Sequence, residues 1–196
     1  VDPALPEQAV VRYAIEVCDV LEYLHSRRPE PIVHRDLKPA NIMLAGQGHI
    51  MLVDFGIAKL LRKGVRGTMV GTEGYSPPEQ YRGEATPAVD IYALGATMHH
   101  LLSGSDPRGE PPFSFHERPL QRYNPAVSDG VAAAVERALA YDAQRRFATA
   151  SEMRAVLEAT QRSSQPAHAS RRKDERIVPR WIHECGDEVR ASPLVA

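Results

Sequence analysis

The stretch His34-Arg35-Asp36-Leu37-Lys38-Pro39-Ala40-Asn41 gathers a carboxylate, an ammonium and a carboxamide into one short polar loop. Thirteen residues after Asn41 stands Asp54-Phe55-Gly56. Hard divalent cations prefer oxygen ligands, and the amide of Asn41 and the carboxylate of Asp54 can supply them. Asp36 is suited to orient a hydroxyl and accept its proton. Lys38, two residues on, is a point charge able to reach a phosphate. Together these side chains suit phosphoryl transfer, where a cation neutralises a polyphosphate and a carboxylate receives the attacking hydroxyl.

The elements around this loop are legible from spacing. Pro6 fits the first position of a helix, and Val11, Ile15, Cys18, Leu21 and Leu24 recur at steps of three and four, one buried face. Arg27 to Pro31 ends that helix. Ile42–Ala45 and His49–Val53, parted by Gly46-Gln47-Gly48, predict a β-hairpin. The span 54–74 is glycine-rich and basic and reads as an exposed loop. Thr86-Pro87 opens a helix, with the hydroxyl as cap, that is apolar nearly all round from Val89 to Leu102 and therefore buried. Ser103-Gly104 is its stop. The span 105–125 holds five prolines and should be mostly irregular. Helices resume near Ser128 and near Thr149, the latter with a Thr149–Glu152 capping box.

Composition narrows the function classes. Lys+Arg 24 against Asp+Glu 25 leaves a net charge of −1, so a broad basic face for nucleic acid is excluded as the basis of function. Cys18 and Cys185 are too few for a disulfide framework, which favours a reducing, cytoplasmic setting. No apolar run reaches membrane-spanning length.

The loop, Asp54-Phe55-Gly56 and the later Gly71-Thr72-Glu73-Gly74-Tyr75-Ser76-Pro77-Pro78-Glu79, in this order and spacing, resemble the protein kinase family. The runs Asp90-Ile91-Tyr92-Ala93-Leu94-Gly95 and Asp142 to Met153 look most similar to its bacterial, eukaryotic-like serine/threonine members. Lys38 within the loop and Thr72 after Gly71 look like the Ser/Thr class. The resemblance implies ATP and Mg²⁺ (or Mn²⁺) as cofactors, protein Ser/Thr hydroxyls as substrates, and a mainly α fold with a small β-hairpin, the kinase-like C-lobe. It implies that Asp36 is the catalytic base, that Lys38 contacts the γ-phosphate, and that Asn41 and Asp54 hold metal. Met43 is either the residue beneath the adenine ring or an ordinary core methionine. His34 and Phe55 resemble members of a packed column anchored by Asp90, whose counterpart accepts hydrogen bonds from the catalytic-loop backbone. Glu79 and Arg146 match a family ion pair, with the adjacent Arg145 as alternative. Thr68, mid-loop between Asp54 and Glu79, flanked by Gly67 and Met69 and surrounded by Arg62, Lys63 and Arg66, is the candidate phosphosite, and the resemblance implies that Arg35 couples such a phosphate to the active site. Thr72, its competitor, matches a residue that contacts the catalytic loop.

Two departures stand out. Pro77 replaces the usual Ala before Pro78-Glu79. The span Pro107–Asn124, where the family carries a substrate-docking helix, is short and proline-rich. The first glycine is Gly46 and the first lysine is Lys38, so no Gly-rich loop or strand lysine lies upstream of the catalytic loop. With Val1 in place of Met, this predicts a fragment, residues 1–158 forming the C-lobe without its N-lobe. The span 159–196 is expected to be a linker or disordered tail. In it, Trp181, His183 and Cys185 faintly resemble the start of a zinc ribbon. A non-catalytic, pseudokinase-like interaction fragment is the rival expectation.

Overall fold

The computed structural model describes residues 4–46, 49–54, 71–84 and 86–163. The first helix, α1, spans Glu7–His25 and buries Val10, Val11, Ala14, Val17, Cys18, Leu21 and Leu24. Ile15, expected on this face, is only partly buried beside it. Pro6 caps the helix rather than occupying its first turn. The hairpin follows as β1 (Ile42–Leu44) and β2 (Ile50–Leu52), antiparallel, with Met43 opposite Met51. Backbone bonds from Ala45 N to His49 O (2.8 Å) and from Val53 N to Asn41 O (3.0 Å) extend the ladder at both ends. Alternation along β1 buries Ile42 and Leu44 and leaves Met43 half-buried on the other face.

A four-residue helix, α2 (Pro78–Tyr81), precedes the central helix α3 (Pro87–Ser103). Every residue of α3 from Val89 to Leu102 is buried, as its unbroken apolar character requires. Thr86 stands at its N-cap, but the hydroxyl makes no capping bond. The Thr86 backbone carbonyl instead accepts from Val89 N at 3.0 Å. Gly104, at φ 71°, ends the helix in the left-handed conformation that glycine adopts freely.

After α3 the chain forms short 3₁₀ turns and α4 (Leu120–Tyr123). It continues in α5 (Asp129–Ala138) and α6 (Ala150–Ser163). Ser128 Oγ caps α5 by accepting from Val131 N. At α6, Thr149 Oγ1 accepts from Glu152 N at 3.1 Å. Glu152 reaches back to Ala148 N (2.8 Å), one residue beyond the position of a standard capping box. Helix α6 runs to Ser163, past the expected boundary at 158. Thr160 supports this extra turn by packing on Gly130 of α5, where a Cβ would stand 2.9 Å from the threonine methyl.

Helices α1, α3, α5 and α6 share one apolar core, with Leu37 of the polar loop and Ile42 and Leu52 of the hairpin inserted into it. The loop that carries the polar cluster is thus pinned between the hairpin and two helices. No helix among the described residues is long and apolar enough to cross a membrane.

Candidate active site

The loop 34–41 takes its shape from Asp90, fully buried on the first turn of α3. Asp90 Oδ2 accepts from His34 N and Oδ1 from Arg35 N, each at 2.9 Å. His25 Nε2, at the end of α1, lies 2.9 Å from the same Oδ2. A buried carboxylate needs such partners, since an unpaired charge in the core is costly. Arg35 adopts φ 68°, a strained conformation for a non-glycine residue, and the Asp90 bonds to its own amide and to that of His34 hold it there. Gln80 Nε2 donates to Arg35 O (2.7 Å), tying α2 to the same turn. His34, fully buried, reaches Val53 O at 3.2 Å and so links the loop to the hairpin.

Asp36 is the hub of the cluster. Its Oδ1 accepts from Thr72 Oγ1 at 2.6 Å, and its Oδ2 accepts from Lys38 Nζ at 2.9 Å. Lys38 Nζ also donates to Thr72 Oγ1 at 2.7 Å, which closes a triangle of three side chains. Asn41 Nδ2 donates to Asp36 O (2.7 Å) and to Asp36 Oδ2 (3.2 Å). With its amide nitrogen committed to Asp36, Asn41 keeps Oδ1 as an oxygen donor. Asp54, just beyond β2, is exposed with φ 55°, a left-handed conformation that Asp tolerates better than most residues. An amide oxygen and an exposed carboxylate are donors fitted to Mg²⁺ or Mn²⁺, which usually take few protein oxygens and keep several waters. Met43 is half-buried on β1.

Thr72 reaches Asp36 because of a tight turn. Tyr75 N and Ser76 N both bond to Thr72 O at 3.1 Å. Gly74, at φ 83°, lies against the backbone of Pro107, and a Cβ there would meet its carbonyl carbon at 2.7 Å. No side chain fits at that position.

Glu79 and Arg146 form a bidentate ion pair, Nη1 to Oε1 at 2.5 Å and Nη2 to Oε2 at 3.0 Å. Arg146 also donates to the backbone carbonyls of Ala88, Ala140 and Tyr141. Arg145, the alternative, is exposed. Phe55, Thr68 and the tail with Trp181, His183 and Cys185 lie outside the described residues, and so do Arg62, Lys63 and Arg66. His25 and Gln80 were missed by sequence reasoning. A histidine in the last turn of a helix is an ordinary complement to the helix dipole, and nothing local connects it to Asp90. His99 and His100 both lie in α3. His99 bonds to Arg118 O, and His100 Nδ1 lies 2.6 Å from the Tyr75 hydroxyl.

Residues 2–157 match the family model described as protein kinase domain. The chain is 35% identical over 170 residues to serine/threonine-protein kinase PknB of Mycobacterium leprae, covering 80% of this chain and 27% of that protein. It is 39% identical over 165 residues to serine/threonine-protein kinase PknA of a Nostoc species, covering 79% of this chain and 28% of that protein. It therefore spans about a quarter of the length of these relatives. The fold is similar to the Mycobacterium tuberculosis PknI kinase domain, with a TM-score of 0.62 and 28% identity over 80% of this chain and 57% of that one. These matches cover the loop, the hairpin and the helices that hold them, and with them the chain belongs to the protein kinase family, among its bacterial, eukaryotic-like serine/threonine members.

Proposed function

We propose that this chain carries the catalytic-loop half of a serine/threonine protein kinase that transfers the γ-phosphoryl group of ATP to Ser or Thr hydroxyls of proteins. The Asp36–Lys38–Thr72 triangle, with Asn41 bound to the same carboxylate, is the observation that carries this reading. A carboxylate offers about four lone-pair positions, and the three side-chain donors on Asp36 leave room for an incoming hydroxyl. Asp36 orients that hydroxyl and takes its proton as the oxygen attacks. Lys38 spends two of its three hydrogens on Asp36 and Thr72 and turns the third to the phosphate. Asn41 Oδ1 and Asp54 hold the Mg²⁺ or Mn²⁺, which neutralises phosphate charge when bound. Met43 offers an apolar surface beside the nucleotide. Arg35, whose Nε is buried without a partner among the described residues, is suited to receive a phosphate on Thr68.

A second reading, a non-catalytic interaction fragment, is favoured by one feature: the sequence has no glycine before Gly46 and no lysine before Lys38. The 196-residue chain then lacks a Gly-rich phosphate cover and a second phosphate-binding lysine, and positioning is most of the catalysis in phosphoryl transfer. Phosphotransfer from labelled ATP to a generic Ser/Thr protein tests both readings, using the protein expressed from its whole reading frame and the 196-residue chain side by side. The first predicts turnover by the whole protein that falls by about 10²-fold or more in Asp36→Asn. Turnover that survives in Asp36→Asn, or is absent from the whole protein, overturns it. The short chain is expected to be nearly inactive.

A further inference from the structure

The proline-rich span between α3 and α5 lines a partly open cavity of about 790 Å³ on the side of the molecule formed by α4 and α5. Arg118 lines it. That side chain is 7% exposed, and its Nε and Nη1 are buried without a hydrogen-bond partner. Among the described residues no carboxylate forms an ion pair with it, and its guanidinium carbon lies 4.6 Å over the Phe115 ring. A buried guanidinium with unmade bonds is costly unless something supplies the acceptors.

The position of Arg118 is built, not accidental. His99 Nε2 donates to Arg118 O at 3.0 Å, and the His99 ring packs edge-on to Phe115 at 5.1 Å. Burial lowers the His99 pKa to about 4, so at neutral pH the ring is uncharged and free to donate to that carbonyl. At the mouth, Phe113 adopts φ 60°, a strained backbone for an aromatic residue. That conformation stands its ring between Tyr81 (5.7 Å, interplanar 81°) and Tyr141 (6.1 Å, 89°). Leu120, Val135 and Leu139 complete an apolar wall. Arg137, also on the lining, is paired with Glu152 at 2.6 Å, and Arg145 is exposed at the rim, where Glu136 and Asp142 also line the cavity, so Arg118 is the buried cation of the lining without a carboxylate partner.

We infer that this cavity is a binding site for a compact organic anion, a carboxylate or phosphate head on an aromatic or aliphatic body. Arg118 takes the head group through charge-assisted hydrogen bonds, and the aromatic and leucine walls take the body. The site lies apart from the Asp36 cluster, shares no residue with it, and does not depend on the kinase reading.

Calorimetric titration of the full chain with benzoate, phenyl phosphate and neutral benzamide tests this without any phosphotransfer. At least one anion is expected to bind about tenfold or more tighter than benzamide, and the tighter of the two names the head group. Arg118→Met should remove that advantage while leaving benzamide binding unchanged. Arg145→Ala, an exposed cation on the same rim, should change anion affinity by less than about threefold. Circular dichroism and a melting curve establish that Arg118→Met folds. If it does not, Arg118→Lys takes its place and should weaken the anion by removing the planar fork. Three results overturn the inference: no binding of either anion at millimolar concentration, benzamide binding as tightly as the anions, or anion affinity that survives loss of the Arg118 guanidinium.

Discussion

Glu79→Ala removes the carboxylate from a guanidinium that has no exposed surface of its own. Breaking a buried pair by deleting one partner costs roughly 3–5 kcal/mol, because the remaining charge is stranded. Here Arg146 keeps three backbone carbonyls, on Ala88, Ala140 and Tyr141, and its guanidinium carbon sits 4.9 Å over the Tyr92 ring. Those contacts put the loss near the lower end, about 3 kcal/mol. For a domain of this size, about 3 kcal/mol lowers the melting temperature by roughly 6–12 °C. Chemical denaturation of wild type, Glu79→Ala, Arg146→Met and the double variant measures it. The double variant should lose much less than the sum of the two singles, since no buried charge remains unpaired. Additive losses, or a Glu79→Ala protein that melts with wild type, would refute the idea that α2 is clamped to the helical body through a desolvated ion pair.

In the active protein, Asp54→Asn should weaken binding of Mg²⁺–ATP as well as turnover, whereas Asp36→Asn should spare nucleotide affinity and lose turnover. Equal loss of affinity in both variants, read by titration with a nucleotide analogue, contradicts the separate roles. His99 has its pKa lowered from 6.5 to about 4 by burial, so the folded state binds fewer protons than the unfolded one between those values. Its contribution to stability is full above pH 6.5 and drains away as the pH falls to about 4, by up to about 1.4 kcal/mol per pH unit. His99→Gln should flatten that part of the denaturation midpoint against pH, and an unchanged slope would show that the ring is not the proton acceptor. Thr68 is expected to carry phosphate after autophosphorylation. Mass spectrometry that finds none, with Thr68→Ala kinetics equal to wild type, ends that proposal.

Local chemistry made much of the fold readable. Pattern located α1 by its one buried face, the hairpin by its two short apolar runs, and α3 by an apolar character that runs all round it, and α3 ends on a residue with a physical reason to stop it, Gly104. Asp36 and Lys38 were legible as one cluster because a single residue, Leu37, separates them. Thr72 reaches Lys38 across 34 positions and Asp36 across 36, through a turn packed where Gly74 meets Pro107, and no pattern in the chain encodes that meeting. His25 and Asp90 are 65 residues apart, and their contact exists only once α1 and α3 have docked. The proline-rich span failed differently. Its prolines predicted irregular structure correctly, but irregular backbone says nothing about which side chains turn inward. Arg118 and Phe113 owe their places to tertiary packing and to a left-handed backbone that sequence assigns to glycine first.

The double grip of Asp90 on the amides of His34 and Arg35 ties the fate of a loop to that of a core helix. In hydrogen exchange, most loop amides open on their own and trade protons quickly. These two are bonded to a carboxylate that cannot leave without α3 leaving the core, so their exchange follows the slow opening of the helix. The geometry around Asp36 therefore inherits the stiffness of the molecule's interior.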